Sequence, residues 1–411
     1  MTRRGHKKRL PLVKFIKNIN IKVNYLKKNI LILFLFFCAL TLFGEPIHDK
    51  DFGFSLDIPE GFKVDTYTED GMSYAFSHPN LPVFLAMKIT SDVSYTSSSV
   101  ALKQTLQKLN AQSSQEVFKW NDTICSISSF KMEIEKKYAG WAVATPTSVE
   151  GFYLVLLCYA PAEKEQSCER FIMSTLNSLC IQEDKYNTPG IITTFAFPEE
   201  GSRKINLHIG GKKISTAIDK SDVDAAQFVV DLEYSVLSLY SKHKLWKEAW
   251  KRYYRMIYRD SYERLSKVSS DIFDALYEDC KKTNPKNPEI AYAQQLLSWV
   301  QDFEYVRANN KNHSDFTCLP GAITGKGSDC DSRSLLICVL LKSIGIETLF
   351  LFSPDYSHAV AAADINAPGQ KYSLDGDFKQ YIFGETTAKV TWGMIAQDQA
   401  DRKKWIPVIL P

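Results

Sequence analysis

The stretch Gly327-Ser328-Asp329-Cys330-Asp331-Ser332-Arg333-Ser334-Leu335-Leu336 decides the fold of the C-terminal part of this chain. It leads into an apolar run, 335–341, that has the length and content of a buried helix, and Gly345 marks the end of that helix. Cys330 is therefore predicted at a helix N-terminus. Unpaired backbone N–H groups and the positive end of the helix dipole favour a thiolate there, and the same N–H groups can hold an oxyanion.

A second stretch is Tyr356-Ser357-His358-Ala359-Val360, in which His358 lies 28 residues after Cys330. β-rich runs at 348–352 and 359–363 flank His358, which is therefore predicted as the first residue of a strand. A thiol and an imidazole are the nucleophile and base of a cysteine peptidase-like mechanism, in which a third group orients the imidazole. Three carboxylates downstream of His358 are candidates for this third role: Asp375, Asp377 and Glu385.

Composition describes a globular chain and argues against one class of partner. The 411 residues are 45% hydrophobic and 24% charged, which suits two or three cores. The net charge of +3 does not describe the body of the chain, because residues 1–44 hold ten Lys or Arg and no acidic residue. The remaining chain is mildly acidic, at −7, and has no basic stripe, so we expect no nucleic-acid partner.

Residues 1–44 are predicted to be a signal peptide. A positively charged lead precedes a 14-residue apolar core, 30–43, which is short for a membrane span of about 20 residues. An uncleaved N-terminal anchor is the alternative, and it is the sole membrane contact that we expect. The protein is accordingly predicted to be exported, to the periplasm or cell envelope.

The cysteines give no sign of a metal site. Apart from Cys38 in the signal region there are eight, and none lies in a C-x-x-C pair with histidine at zinc spacing. Most have apolar neighbours, as in Leu156-Leu157-Cys158-Tyr159, and are interpreted as buried free thiols. We expect no metal and no cofactor.

Residues 45–183 are predicted to form an antiparallel α+β domain. Strands are expected over 51–62, 81–89, 124–130 and 151–159, with helices over 97–110 and 164–179. The opening pattern, ending in Ile58-Pro59-Glu60-Gly61-Phe62, resembles PsbP-type domains, which implies a binding or spacer role without a catalytic residue.

The polar segment 184–190 is predicted to be a linker, and 190–286 a hairpin followed by helices. The hairpin turns at Gly210-Gly211, and Ser221-Asp222-Val223-Asp224 has the form of a capping box for a helix to about Tyr240. A helix from about Leu245 has aromatic residues on one side and Lys247, Lys251, Arg252, Arg255 and Arg259 beside them. We interpret it as a packing helix with a solvated basic side rather than a nucleic-acid or lipid surface.

The last predicted domain, 287–411, begins with a helix from Pro288 to about Arg307, with Asn287 as its N-cap. A loop of about twenty residues, Asn309 to Ser328, then precedes Cys330.

Residues 287–405 resemble the transglutaminase-like (transglutaminase/protease) superfamily, which has a papain-like fold. The matching elements are Gln301 to Tyr305, Pro320 in the loop, the nucleophile motif from Asp329 to Leu336, His358-Ala359, and Glu385-Thr386-Thr387. Ser328 is an insertion relative to the family pattern, and Ser332 replaces a common acid. The family pattern favours Glu385 as third residue because threonine follows it, whereas Asp375 is closer to the usual spacing after the histidine and stays open.

The resemblance implies a thiol enzyme that acts on an amide of a protein or peptide substrate. Cys330 would attack the carbonyl, His358 would serve as base and then acid, and Glu385 or Asp375 would orient the imidazole. If water is the second nucleophile that releases the acyl group from Cys330, the enzyme would be a peptidase or amidase. If an amine is the second nucleophile, it would be a transglutaminase. The alternative is an inactive envelope binding or scaffold protein with the same fold. The overall fold class is α+β.

Overall fold

The computed structural model describes residues 46–182, 185–307 and 314–411. The predicted signal peptide, 1–44, lies outside these residues. The chain divides into two compact units between residues 183 and 184. Both are mixed helix and strand with antiparallel sheets, so the α+β class is confirmed. Within the described ranges no helix is both long and apolar enough to cross a membrane.

The first unit is built on a seven-stranded antiparallel sheet of strand order β3-β4-β5-β9-β8-β7-β6. Its strands are β3 (Lys63–Tyr67), β4 (Ser73–Ser77), β5 (Phe84–Thr90), β6 (Gln112–Trp120), β7 (Thr123–Ile134), β8 (Lys136–Pro146) and β9 (Tyr153–Pro161). A smaller sheet joins β1 (Ile47–Asp49), β2 (Phe54–Leu56) and β10 (Leu179–Ile181).

Two helices cover this sheet. α1 (Ser98–Lys108) begins at Ser97, whose hydroxyl accepts a hydrogen bond from the Val100 N–H at 3.3 Å. Ala101, Leu102 and Leu106 of α1 form one apolar core with side chains of β7, β8 and β9. α2 (Glu165–Asn177) packs against β8 and β9.

The prediction for this unit was wrong about one strand and left out others. The strand expected over 51–62 is limited to β2, because β2 pairs with the two short strands β1 and β10. Strands β4 and β8 inside the large sheet were not predicted. Strands β3 and β6 were missed because they are the two edges of this sheet and most of their side chains are exposed. Such strands lack the apolar alternation on which strand prediction depends.

The second unit contains a hairpin, a helical layer and a five-stranded antiparallel sheet. The hairpin strands are β11 (Ser202–Ile209) and β12 (Lys212–Asp219), joined at Gly210 and Gly211 with φ of 57° and 77°. Its helices are α3 (Ile191–Ala196), α4 (Asp222–Ser238), α5 (Trp246–Arg264), α6 (Ser266–Thr283), α7 (Pro288–Gln301), α8 (Leu319–Ile323) and α9 (Cys330–Lys342). The sheet has the order β15-β16-β14-β13-β17, from β13 (Thr348–Ser353), β14 (His358–Ala363), β15 (Lys371–Tyr372), β16 (Tyr381–Gly384) and β17 (Ile406–Ile409).

One helix start and one helix face differ from the prediction. Ser221 precedes α4 but makes no side-chain cap, because its hydroxyl donates to Asp219 Oδ1 at 2.8 Å instead. The basic side of α5 is not uniformly solvated, since Arg252 and Arg259 are each 2% exposed. Arg252 forms an ion pair with Glu233 of α4, so this charge stabilises the packing of two helices.

The segment between α7 and α9 also differs. α7 ends at Gln301 rather than near Arg307, and Tyr305 instead forms an isolated parallel bridge with Ser328. The expected structureless loop from 309 to 328 contains the short helix α8.

α9 is the central element of the second unit. All of its residues from Ser332 to Leu341 are buried, and it packs against β13 and β14. Burial on every side explains its continuous apolar sequence, which a surface helix would interrupt with polar residues.

Candidate functional site

Cys330 is the first residue of α9, as predicted, and a reciprocal cap holds this helix end. The Asp329 carboxylate accepts from the Ser332 N–H at 2.7 Å, and Ser332 Oγ accepts from the Asp329 N–H at 2.9 Å. Ser332 therefore completes a capping box with Asp329. This cap fixes the backbone on either side of the thiol.

The thiol of Cys330 lies among charged groups and is 2% exposed. It donates to Asp331 Oδ1 at 3.2 Å, and Arg307 Nη2 donates to Sγ at 3.9 Å. The other oxygen of Asp331 accepts from the hydroxyl of Tyr254 at 2.7 Å.

These neighbours overturn one expectation. Burial, followed by the carboxylates of Asp331 and Asp329, raises the pKa of the Cys330 thiol, whereas the backbone N–H of Ala359 lowers it. The net shift is upward, so the resting site favours the thiol over the thiolate that a helix N-terminus alone would favour. Burial also raises the pKa of Asp331, and it raises that of Asp329 to about 8.

His358 and Glu385 are brought together by two neighbouring strands. His358 begins β14, and β16 pairs with β14 in the register Ala361 to Gly384, so Glu385 follows directly at the end of β16. The imidazole Nε2 and Glu385 Oε2 are 2.7 Å apart. Because Nε2 is engaged, Nδ1 is the ring nitrogen left to exchange a proton with a nucleophile.

The Glu385 carboxylate is anchored on its other oxygen. Oε1 accepts from both the N–H and the hydroxyl of Thr387, at 2.7 and 2.6 Å. Burial raises the pKa of Glu385, but the hydrogen bonds and charge of His358 and the bonds from Thr387 outweigh it, and the net pKa lies below its ordinary value. The carboxylate is therefore ionised and can stabilise an imidazolium.

The other candidate acid, Asp375, lies elsewhere. It is exposed in the turn that Gly376 completes, between β15 and β16. In the described structure it makes no hydrogen bond or ion pair with His358. Of the two acids that the sequence left open, the structure places Glu385 on the imidazole.

Cys330 and His358 are neighbours without being hydrogen-bonded to each other. The backbone N–H of Ala359, one residue after His358, lowers the pKa of the Cys330 thiol. Ser334 Oγ of α9 donates a hydrogen bond to the Ala359 carbonyl at 3.2 Å. Within the described residues, however, the thiol bonds to Asp331 and Arg307 and not to the imidazole. Catalytic hydrogen bonds are often long or unformed without substrate.

Buried polar side chains hold the pieces of the site in place. Gln301, at the end of α7, donates to the carbonyls of Glu385 and Val390 at 2.8 and 3.0 Å. The Arg333 guanidinium donates to Ser328 Oγ at 2.8 Å, and to the carbonyls of Thr386 and Phe303. These bonds tie the segments before and after α9 to the Glu385 segment.

Three residues near the thiol were missed by the sequence interpretation as functional: Tyr254, Arg307 and Asp331. Tyr254 lies 76 residues before Cys330, and no local pattern connects the two positions. Asp331 is part of the motif around Cys330, and an acidic residue next to a cysteine predicts a raised pKa of the thiol.

A pocket of about 900 Å³ opens above the imidazole. Its lining includes His358, Glu385, Arg307, Arg333 and Tyr356, whereas the buried Cys330 is not among the lining residues. Apolar and aromatic side chains make up much of the remaining wall, as in Phe303, Tyr305, Val390, Met394 and Ile395. This combination of apolar wall and a few charged groups is typical of sites for small molecules and peptides.

The described residues hold eight cysteines, and all of them are buried. In the same residues no group of three His, Cys, Asp or Glu side chains is arranged to hold a metal ion.

No protein-family model matches this chain, and no curated protein matches it either. Among solved structures, cyanobacterial PsbP from Synechocystis sp. PCC 6803 is 10% identical over 33% of this chain and 91% of its own, with a TM-score of 0.28. The Ran-binding protein Mog1p from Saccharomyces cerevisiae is 7% identical over 33% and 94%, with a TM-score of 0.26. A protein of Bacteroides thetaiotaomicron is 11% identical over 80% and 88%, with a TM-score of 0.24. Scores this low carry no argument about fold or function.

Proposed function

We propose that this chain is a transglutaminase-like thiol enzyme that acts on an amide bond, with its second unit containing a papain-like catalytic domain. The observation that carries the proposal is the 2.7 Å hydrogen bond between His358 Nε2 and Glu385 Oε2. His358 directly precedes Ala359, whose backbone N–H lowers the pKa of the Cys330 thiol. A nucleophile at a helix N-terminus would then act together with an imidazole and an orienting carboxylate that line the pocket.

The reaction would proceed in two stages. The thiol turns from Asp331 to His358 Nδ1, gives up its proton, and attacks the carbonyl carbon to form a C–S bond. The backbone N–H of Cys330 helps to hold the oxyanion. The C–N bond then breaks as the imidazolium protonates the leaving amine, which leaves a thioester on Cys330. Water or an amine attacks this thioester and regenerates the thiol.

The binding-protein alternative also has an observation in its favour. Cys330 is 2% exposed, it does not line the pocket, and Asp331 and Asp329 oppose its ionisation. A scaffold that had lost turnover would keep the pocket and have no need for an accessible thiol.

Alkylation by iodoacetamide separates the two functions. The enzyme proposal expects Cys330 to be alkylated faster than a free thiol, and His358→Ala to slow this alkylation, since the imidazole removes the thiol proton. The rate is measured at Cys330 by mass spectrometry of the digested protein, with the equally buried Cys338 as internal reference. If Cys330 reacts no faster than a free thiol, or if its rate is indifferent to His358→Ala, the enzyme proposal fails.

We further propose that the protein is exported to the periplasm or cell envelope and acts there on a protein or peptide. This rests on the basic lead and the 14-residue apolar core of residues 1–44. Cell fractionation together with N-terminal sequencing of the purified protein tests it. Recovery of the full-length chain from the cytoplasm would contradict export.

A further inference from the structure

The pocket above His358 carries more positive than negative charge. Its lining includes two guanidinium groups, Arg307 and Arg333, one carboxylate, Glu385, and the imidazole of His358. Glu385 is hydrogen-bonded to His358, and in the described structure it makes no hydrogen bond to either arginine, so two guanidinium groups stand against one carboxylate on the pocket wall. An anionic group entering this pocket therefore meets an attractive field.

The two arginines differ in what they can offer a ligand. Arg333 is 2% exposed and its three hydrogen bonds go to neutral oxygens, so it supplies charge while its donors are occupied. The Arg307 side chain is half exposed, at 50%. Its partner Asp315 is similarly exposed, at 48%, with 3.8 Å between Nε and Oδ2, which is too long for a hydrogen bond. A surface pair of this kind contributes little and is easily exchanged for a ligand.

Arg307 is also within reach of the reacting atoms, because its Nη2 lies 3.9 Å from Cys330 Sγ. A reacting carbon is typically about 3–3.5 Å from its nucleophile, and a carboxylate oxygen bound to a guanidinium is about 2.7–2.9 Å from the nitrogen. A carboxylate held by Arg307 therefore lies a few bonds from the carbon that the thiol attacks.

We propose that Arg307 binds a carboxylate of the substrate, so that the enzyme acts on amides that lie next to a free carboxylate, such as the last peptide bond of a chain. This inference rests on the proposed thiol chemistry and names its substrate class. Arg307 would fix the carboxylate side of the substrate, while the apolar wall of the pocket receives the remainder.

The probes are iodoacetate and iodoacetamide, which differ in one carboxylate next to the reacting carbon. In both reactions the sulfur forms a bond to the CH₂ carbon, the C–I bond breaks, iodide leaves, and the thiol proton passes to His358. The ratio of the two alkylation rates at Cys330 cancels the ionisation of the thiol, because that ionisation affects both reagents equally. The ratio therefore reports carboxylate binding.

The variants are Arg307→Gln, the charge-retaining Arg307→Lys, and Arg203→Gln, which removes one exposed positive charge from the hairpin strand β11. Because a hydrogen bond to a charged group is strong, we expect Arg307→Gln to lower the iodoacetate-to-iodoacetamide ratio roughly ten- to one-hundred-fold. Arg307→Lys should keep most of the ratio, and Arg203→Gln all of it.

Two results would overturn the inference. One is an unchanged ratio in Arg307→Gln, including the case in which both reagents slow equally, since Arg307 would then act on the thiol. The other is an equal loss in Arg203→Gln, which would show a general charge effect. Either result leaves the thiol chemistry standing as long as His358→Ala slows iodoacetamide, so the two failures are distinguishable.

Discussion

Replacing Glu385 with Gln tests the arrangement of the site most directly. The substitution keeps the volume of the side chain, and the amide oxygen can still accept from Thr387. It removes the negative charge that faces His358 Nε2 at 2.7 Å, where the two side chains are 7% and 11% exposed. Screening by water is weak at this exposure, so the imidazolium loses most of the stabilisation that the carboxylate supplies.

The magnitude follows from the strength of this one contact. A hydrogen bond to a charged group contributes about 1.5–3 kcal/mol. If that stabilisation is realised when the imidazole takes the thiol proton, its loss slows alkylation of Cys330 roughly ten- to one-hundred-fold. The rate with iodoacetamide is measured at Cys330 between pH 5 and pH 9, and a thermal melt confirms that the variant is folded.

Asp375→Asn is the matched control, because Asp375 is the other acid that the sequence allowed and it is exposed away from His358. It should leave the rate within about twofold of the unsubstituted protein. The reasoning is refuted if Cys330 of the Glu385→Gln variant is alkylated at the original rate. The assignment of the orienting acid is reversed if Cys330 is alkylated more slowly in Asp375→Asn than in Glu385→Gln.

Three further substitutions probe the support of the site. Arg333→Lys should lower the free energy of unfolding, measured in urea, by about 2–4 kcal/mol, because one ammonium group cannot make the three hydrogen bonds of the buried guanidinium. A loss below about 1 kcal/mol would contradict this prediction. Asp329→Asn should keep the helix cap but flatten the pH dependence of stability. Because the pKa of folded Asp329 is raised to about 8, it holds a proton that the unfolded chain releases near pH 4, so the free energy of unfolding falls as pH rises between these values. Urea unfolding at pH 5 and pH 8 measures this dependence, and an unchanged difference between the two pH values in the variant would refute the prediction. Gly384→Ala places a Cβ 2.6 Å from the ring of Trp392 and should cost about 1–3 kcal/mol; an unchanged melting temperature would show that the indole moves freely.

Local sequence was sufficient for the elements that carry Cys330 and His358. The apolar run after Cys330 predicts α9 because a helix buried on every side needs apolar residues throughout. His358 could be placed at the start of β14 because β-rich runs flank it. The edge strands β3 and β6 could not be found in this way, since their exposed side chains place no constraint on polarity.

What the sequence determined by itself is the identity of the candidate nucleophile and base, the helix and strand that present them, and the two acids that could serve as the third member. Only the tertiary structure decided between those acids, because the register of β16 against β14 brings Glu385 to Nε2 and leaves Asp375 in an exposed turn. The state of the thiol was also decided by the tertiary structure. A helix N-terminus favours a thiolate through short-range dipoles, whereas burial and the carboxylates of Asp331 and Asp329 oppose it, and burial arises from the packing of the whole unit.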